Sequence, residues 1–436
     1  MKRLYSAVSP QESVKAIKSG DNVHISSVAN APQCLIKAMC DRGRAGELHD
    51  VKIFHLHTEG SAPYVRPEFA GIFKHNAFFV GANVRSEVQQ GIADYIPVFL
   101  GETSKLYREG YIKCNVALIQ VSLPDEFGYV SLGTSVDATL AAIETADCTI
   151  AVVNKHVPRS MGDALIPMSL IDLFVEDDTP LPTSLCGEPT DVERKIGETC
   201  STLIDDGACL QMGIGSIPNA VLSCLANHKN LGIHTEMFSD GILNLVEKGA
   251  INGTNKILDR GKIVATFVMG SRNIYDFINN NPQVLMKDVE YTNDPFIIAQ
   301  QPKMTAINSA IQIDITGQTC ADSLGKKIYS GVGGQIDFIY GASRAKEGKA
   351  IIAMPSTTLK GVSKIVPTLS KGAGVVTTRS HIHWLVTEYG AVNLHGKPLQ
   401  ERAKLITSIA HPDFRDELEK EIYNRFGSNS YFINKN

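Results

Sequence analysis

The chain has 436 residues, of which 43% are hydrophobic and 20% charged, enough for two or three domains at about 150 residues each and for burial of about three quarters of the unfolded surface. This balance excludes a fibrous, disordered or disulfide-stapled protein. With 42 basic and 46 acidic residues the formal charge is −4, which excludes a general attraction to nucleic acid or anionic membrane while leaving room for a local basic pocket.

Taken in chain order, a short helical pattern at Val14–Ile17 runs into the turn Ser19-Gly20-Asp21, a β-rich Val23-His24-Ile25, a small polar loop from Ser26 to Asn30 with Pro32 behind it, and a helix at Leu35–Met39. Continuous apolar runs at Val116–Val121 and Thr149–Val153 read as strands covered on both faces. The polar, Pro-rich stretch between Asp177 and Glu188 places a domain boundary at residue 185, giving segments 1–185 and 186–436. Beyond it the opening pattern returns: a helix near Val192–Leu203, the turn Asp206-Gly207-Ala208, a strand at Leu210–Met212, the loop Gly213-Ile214-Gly215-Ser216, Pro218 and a helix at Ala220–Leu225. The next strand echoes too, Leu56-His57-Thr58-Glu59-Gly60 matching Ile233-His234-Thr235-Glu236-Met237. Order and spacing both agree, so the chain reads as two related α/β halves with open, parallel-rich sheets and helices outside. Further strands are expected at Val264–Phe267, Ala350–Met354 and Gly374–Thr377, and helices at Leu399–Ile409 and Asp413–Arg425, broken by His411-Pro412.

The nine cysteines, Cys34, Cys40, Cys114, Cys148, Cys186, Cys200, Cys209, Cys224 and Cys320, show no C-x-x-C pair or zinc spacing and read as reduced, mostly buried thiols of a cytoplasmic chain. No secretory leader is expected at Met1–Glu12, and no run approaches about 18 apolar residues, so no membrane span is expected.

Three segments carry candidate chemistry. Gly213-Ile214-Gly215-Ser216-Ile217-Pro218 lies between a strand and a helix, where exposed N–H groups receive an anion. It lacks the Lys-Ser/Thr of a Walker loop, and Pro218 replaces the last glycine of a dinucleotide fingerprint; a plain packing turn is the alternative. In His234-Thr235-Glu236-Met237-Phe238-Ser239-Asp240-Gly241 a carboxylate follows a strand's carboxyl end, as nucleophile, general base or buried network partner, and Ser239 or Asp240 is placed to cap a helix at Ile242–Glu247. In Ser330-Gly331-Val332-Gly333-Gly334-Gln335-Ile336-Asp337-Phe338 paired glycines expose backbone N–H groups to a developing oxyanion, with Gln335 as a further donor and Asp337 fixing the loop, or else form a ligand-free turn.

On these three motifs, together with Val386-Thr387-Glu388-Tyr389-Gly390, the chain resembles the acetyl-CoA hydrolase/transferase family of CoA-transferases over essentially its whole length, and within it the 4-hydroxybutyrate and butyryl-CoA:acetate CoA-transferases. The resemblance implies two related open-sheet domains with the active site between them, the catalytic glutamate in the 186–436 segment, and a cytoplasmic homodimer. Acyl-CoA and a short-chain carboxylate would be its partners. It further implies no nucleic-acid or membrane partner, no metal and no tightly bound cofactor, with CoA entering and leaving as acyl-CoA. By the same resemblance Glu236 is the nucleophile, Gly334 and less directly Gly333 supply the oxyanion donor, and Gln211, Gly213, Gly215, Ser216, Asn219, Gly333 and Gly334 lie against CoA. Hydrolysis of a short-chain acyl-CoA uses the same residues, and a noncatalytic CoA-binding protein is the reading from a different class.

Glu59 repeats the His-Thr-Glu motif without the Ser-Asp-Gly that follows Glu236, so a structural or pocket role is expected of it. Glu388 is a second candidate carboxylate. His55 with His57, and His381 with His383, have strand spacing for two imidazoles but no third ligand. Trp384 reads as a core or interface aromatic, and Lys346, Lys349, Lys360 and Lys364 as solvated side chains, with steering of the CoA phosphates as the alternative.

Overall fold

The computed structural model describes residues 5–184, 187–213 and 215–427; the expected boundary at residue 185, Cys186 and Ile214 lie outside them. The chain divides into two compact units, one of Met1–Leu185, Thr235–Asp240 and Lys262–Asp294, the other of Cys186–His234, Gly241–Gly261 and Pro295–Asn436. This corrects the assignment of Glu236 to the 186–436 segment: the residue belongs to the first unit. The cause is strand pairing, since Met237–Phe238 pairs in parallel with Phe267–Val268 and Val136 N–H donates to the Thr266 carbonyl at 2.9 Å.

In the first unit the principal strands are β1 (Asn22–Ile25), β2 (Val51–His55), β3 (Phe73–Ala77), β4 (Asp94–Tyr95), β5 (Val116–Val121), β6 (Cys148–Val153) and β7 (Leu173–Glu176). They form a parallel sheet in the order β7-β6-β5-β1-β2-β3-β4. All of β5 is buried, as a strand covered on both faces requires. Helix α1 (Gln33–Arg44) follows β1, and α2 (Thr139–Thr145) precedes β6. The helix expected at Val14–Ile17 is instead a turn of α-helix at Pro10–Ser13 continued as 3-10 helix over Val14–Ala16.

The second unit contributes α3 (Asp191–Ser201), β8 (Cys209–Met212), α4 (Ser216–Ser223), β9 (Gly232–His234), β10 (Thr305–Asn308), α5 (Gln335–Arg344), β11 (Lys349–Ala353), β12 (Trp384–Thr387), β13 (Gly390–Asn393), α6 (Leu399–Ser408) and α7 (Pro412–Phe426). Its strands run β13-β12-β11-β10-β8-β9, parallel except for the final hairpin β12–β13. Thr190 begins α3 with a capping box, its hydroxyl accepting from Glu193 N–H while the Glu193 carboxylate accepts from Thr190 N–H.

Strand order reverses between β1 and β5 in one unit and between β8 and β10 in the other. Such a switch point opens a crevice beyond the strands' carboxyl ends, where open α/β sheets bind ligands. The internal repeat is this device made twice: β1, loop and α1, then β8, loop and α4. The echo in the next strand is looser, because β2 ends at His55, before His57, whereas β9 includes His234. Gly374–Thr377 does not form the expected strand and makes one bridge, Thr377 to Thr319; Val375 is 44% exposed, so the segment has no second apolar face to bury.

Gly197 lets α3 approach α4 closely. A Cβ there would stand 2.7 Å from the carbonyl carbon and from the Cβ of Ala220. Alanine gains about 1 kcal/mol in helix propensity, but forcing a methyl into this contact costs about 1–3 kcal/mol. Gly197→Ala is therefore expected to lower the thermal midpoint, whereas a helix without the contact would gain stability; differential scanning calorimetry reads the sign.

The first unit buries three histidines on adjacent strands. His55 and His75 stack with ring centroids 4.0 Å apart, His55 Nε2 meets Tyr64 Oη at 2.6 Å, and His24 joins Tyr107 Oη and Thr139 Oγ1. Burial lowers His24 and His75 from 6.5 to about 4, and drives His55 well below its ordinary value, with His75 adding like charge. Between pH 6.5 and about 4 the unfolded chain binds protons that the folded chain refuses, so stability falls as pH falls, by up to about 1.4 kcal/mol per unit for each histidine. Urea unfolding at pH 7.5 and pH 5 is expected to show this loss, and equal midpoints would contradict it.

Candidate functional site

The Glu236 segment is held by backbone hydrogen bonds within the first unit. Thr235 N–H donates to Val264 O at 3.0 Å, and the Glu236 carbonyl accepts from Thr266 N–H at 2.9 Å and Phe267 N–H at 3.0 Å. The Thr235 hydroxyl donates to Met237 O at 2.9 Å. Thr235, Met237 and Phe238 are buried, while Glu236 is half-buried. Its Oε2 accepts from Asn293 Nδ2 at 3.3 Å. Asn293 is fully buried, and the Thr292 hydroxyl donates to its Oδ1 at 2.9 Å, which turns the amide nitrogen toward Glu236.

Behind this turn lies a buried polar chain. Thr266, whose N–H holds Glu236, accepts at Oγ1 from Asp137 N–H at 3.0 Å. Asp137 has φ +31°, a conformation that Asp tolerates better than most residues. Its carboxylate receives the Ser135 hydroxyl at 2.6 Å and the Thr139 N–H and hydroxyl, each at 2.9 Å. Sequence inspection missed Asp137 and Asn293; a buried Asp between Ser and Thr was the only local signal for the first, and nothing near Asn293 in the chain marks the second.

Asp240 does not cap the following helix. Its carboxylate accepts from Ser271 N–H at 2.8 Å and from the Ser271 hydroxyl, and a Cβ on Gly270 would collide with it. Ser271 in turn caps the helix Arg272–Ile278. Glu59 lies in the same unit, its N–H on Val28 O and its carbonyl accepting from Gln33 Nε2, both at 3.0 Å. His57 packs edge-on against Phe267 at 6.2 Å, and burial lowers it to about 4.

The other expected site residues belong to the second unit. Gln211 and Asn308, near the ends of β8 and β10, exchange amide hydrogen bonds of 3.0 and 3.4 Å. Gly215 has φ +128° and precedes α4, a conformation that favours glycine. The Ser216 hydroxyl donates to Glu193, and hydrogen bonds from Ser216 and Thr190 outweigh burial to keep the Glu193 carboxyl below its usual range. Asn219 Oδ1 is buried without a hydrogen-bond partner. Gly333 has φ +58°, and Gly334 opens α5 with its carbonyl accepting from Phe338 N–H at 3.1 Å. Gln335 and Asp337 are therefore helical and not loop residues, and Gln335 Nε2 donates to Thr377 at 3.1 Å.

Beyond the carboxyl ends of β10 and β11 opens a cleft of about 560 Å³, lined by Glu193, Ala310, Ile311, Pro355, Leu359 and Lys364 among others. Glu388 holds its floor by accepting from Ser356 N–H at 2.9 Å and the Ser356 hydroxyl at 2.6 Å. Two of the four lysines expected to be solvated are not: Lys349 binds Leu203 O and Asp205, each at 2.6 Å, and Lys364 lines the cleft. Lys346 and Lys360 are exposed. His383 packs on His395 at 4.1 Å, and among the described residues no group of three or more His, Cys, Asp or Glu is arranged to hold a metal ion. Burial pushes the thiols of Cys34, Cys40, Cys114 and Cys200 up to about 12, which removes them as nucleophiles at neutral pH. Among the described residues no helix is long and apolar enough to cross a membrane.

Residues 2–183 match the acetyl-CoA hydrolase/transferase N-terminal domain, and residues 270–422 match the C-terminal domain. A succinyl-CoA:acetate/propanoyl-CoA:succinate CoA transferase of Fasciola hepatica is 48% identical over 94% of this chain and 86% of its own. A 4-hydroxybutyrate coenzyme A transferase of Clostridium kluyveri is 46% identical over 96% of this chain and 97% of its own. A crystal structure of 4-hydroxybutyrate CoA-transferase from Porphyromonas gingivalis superposes with a TM-score of 0.83 at 39% identity, covering 96% of this chain and 98% of that one.

The Asp240–Ser271 contact gives a test of how the Glu236 segment is anchored. Asp240→Ala removes two hydrogen bonds to a carboxylate, worth about 2 kcal/mol. Amide exchange at Ser271 is expected to accelerate about 30-fold on that scale, read by hydrogen–deuterium exchange; unchanged protection would show that the loop is held elsewhere.

Proposed function

The chain belongs to the acetyl-CoA hydrolase/transferase family, and on that premise we propose that it exchanges CoA between a short-chain acyl-CoA and a free carboxylate, with Glu236 as the nucleophile. The observation that carries this reading is the half-buried Glu236 carboxylate, met by an oriented side-chain amide on a turn whose backbone is fixed on both sides. A nucleophilic carboxylate must shed water yet remain ionised, and nearby N–H dipoles offset the desolvation.

In the proposed sequence Glu236 attacks the thioester carbonyl, giving an acyl-glutamyl anhydride and CoA thiolate. The thiolate attacks the glutamyl carbonyl, forming glutamyl-CoA and releasing the donor acid. The acceptor carboxylate then reverses both steps and leaves as a new acyl-CoA. Each step exchanges one activated carbonyl for another, so the chemistry requires neither ATP nor a metal. The Gly334 N–H, with Gly333 beside it, is the proposed oxyanion donor; a lost donor of this kind costs about 3–4 kcal/mol in related acyl transfer.

CoA is proposed to lie along the loop holding Gly213, Gly215 and Ser216. Because the Ser216 hydroxyl is engaged by Glu193 and the Gln211 amide by Asn308, these two residues would shape the loop while backbone N–H groups and the unpartnered Asn219 Oδ1 meet ligand. The family reading also supports a cytoplasmic homodimer and 4-hydroxybutyrate, butyrate and acetate as carboxylates, with succinate as a further candidate given the name of the Fasciola hepatica relative.

The test supplies acetyl-CoA with each carboxylate and follows acyl-CoA exchange together with free thiol. Rapid exchange with little thiol release is expected; acceptor-independent thiol release would make the protein a hydrolase. Glu236→Ala is expected to lower exchange by at least about 1,000-fold with an unchanged circular dichroism spectrum. Borohydride is expected to reduce a glutamyl-CoA thioester in the parent protein only. Normal turnover by the variant would reject the assignment.

A further inference from the structure

Lys364 stands apart from the other partly buried lysines. Lys256 donates to Ile233 O at 2.9 Å, Lys287 to Asp163 at 2.8 Å and Lys349 to Leu203 O and Asp205. No described residue accepts a hydrogen bond from Lys364 Nζ, and its one electrostatic partner is Glu388. Both Glu388 oxygens already receive donors from Ser356.

The backbone fixes where this amine sits. Lys364 N–H donates to Ser356 O at 2.8 Å, and its carbonyl accepts from Ile313 N–H at 2.9 Å. It thus closes the base of a hairpin, bridged between Thr357 and Ser363, with fully exposed Leu359 near its tip. The side chain lines the 560 Å³ cleft against apolar Ala310, Ile311, Pro355 and Leu359. The other titratable groups facing it are Glu193 from α3, Tyr329 from the turn before α5 and Glu388 from the end of β12.

We propose that Lys364 is a self-acylation site, at which a short-chain acyl thioester entering the cleft transfers its acyl group to Nζ. The amine lone pair forms the amide C–N bond, the thioester C–S bond breaks with its electron pair leaving on the CoA sulfur, and the amine proton passes to that thiolate or to solvent. Nothing is oxidised or reduced. Two further facts favour it. Burial, opposed only by Glu388, lowers the amine to about 8, so its neutral fraction near pH 7.5 exceeds that of an exposed lysine by about 200-fold, part of which the lower basicity gives back. The product also suits the place, since a neutral amide is easier to bury than an unpaired ammonium, and Glu388 keeps its Ser356 donors after the charge is gone. The inference rests on the proposed function only for the supply of acyl thioester.

The full-length protein is incubated with acetyl-CoA and no carboxylate acceptor, digested, and followed by mass spectrometry from pH 6.5 to 9.5. Lys364 is expected to gain one acetyl group at least about tenfold faster than exposed Lys360, four residues away, with a rate that flattens above pH 8 while that of Lys360 keeps rising. The Glu236→Ala protein is expected to acetylate Lys364 at the same rate, because attack is direct. Acetylation no faster than at Lys360, or loss of it in Glu236→Ala, would overturn the proposal. CoA exchange is measured in parallel on the same protein with a carboxylate acceptor added, so a protein that acetylates Lys364 without exchanging CoA would refute the proposed function and leave this inference standing.

Discussion

The structure around Glu236 depends on one backbone contact, the Glu236 carbonyl accepting N–H groups from both Thr266 and Phe267. It joins six residues, Thr235–Asp240, to the unit built mainly from the first 185 residues. A buried carbonyl must be satisfied, and here two donors on consecutive residues fix both the position and the direction of the turn. The side chain that follows is then set by the fold and not by its own rotamer preference. The same pair of residues continues into the strand Phe267–Val268, so the carboxylate is presented from the end of a paired segment and not from a free loop.

The second layer is polar and buried, which carries a risk as well as a use. Asp137 in the left-handed region, the Ser135 and Thr139 hydroxyls, and His24 form a network in which each loss would strand a partner. A satisfied network of this kind rigidifies; a broken one costs more than an apolar core. Its hydrogen bonds run without a break from His24 on β1 through Thr139 and Asp137 to Thr266, beside the turn holding Glu236. The lowered histidines belong to the same economy of burial: His24 is kept neutral so that it can exchange hydrogen bonds with Tyr107 and Thr139 without carrying charge into the core.

Much of the architecture was legible in the residues. Val116–Val121 is apolar at five of six positions because both faces of β5 are covered, and the repeat of turn, strand, loop and helix marks the two reversals in strand order. Glu236 stood out through the resemblance carried by His234–Gly241, since the local pattern left it open as nucleophile, general base or buried network partner. What stayed hidden depends on distant pairing. The return of Thr235–Asp240 to the first unit follows from partners about 30 residues further on, and Asn293 and Asp137 reach the turn from separate crossovers. Gln335 and Asp337 misread as loop residues because Gly333 and Gly334 end the turn one residue before α5 begins, and Lys364 misread as solvated because its hairpin is closed by backbone bonds that side-chain pattern does not reveal.

The carboxylates near the strand ends show how one residue type is put to different uses. Glu193, Asp240 and Glu388 each accept from a backbone N–H and a neighbouring hydroxyl, so they are structural parts of their loops, and ionised forms held this way are poor nucleophiles because their lone pairs are already directed at fixed donors. The Glu236 contact with Asn293 comes from a side-chain amide, at 3.3 Å longer than an ordinary N–H···O bond, whose own oxygen is held by the Thr292 hydroxyl. Glu388 is held by the Ser356 N–H and hydroxyl, and it is this engagement that argues against it as a nucleophile.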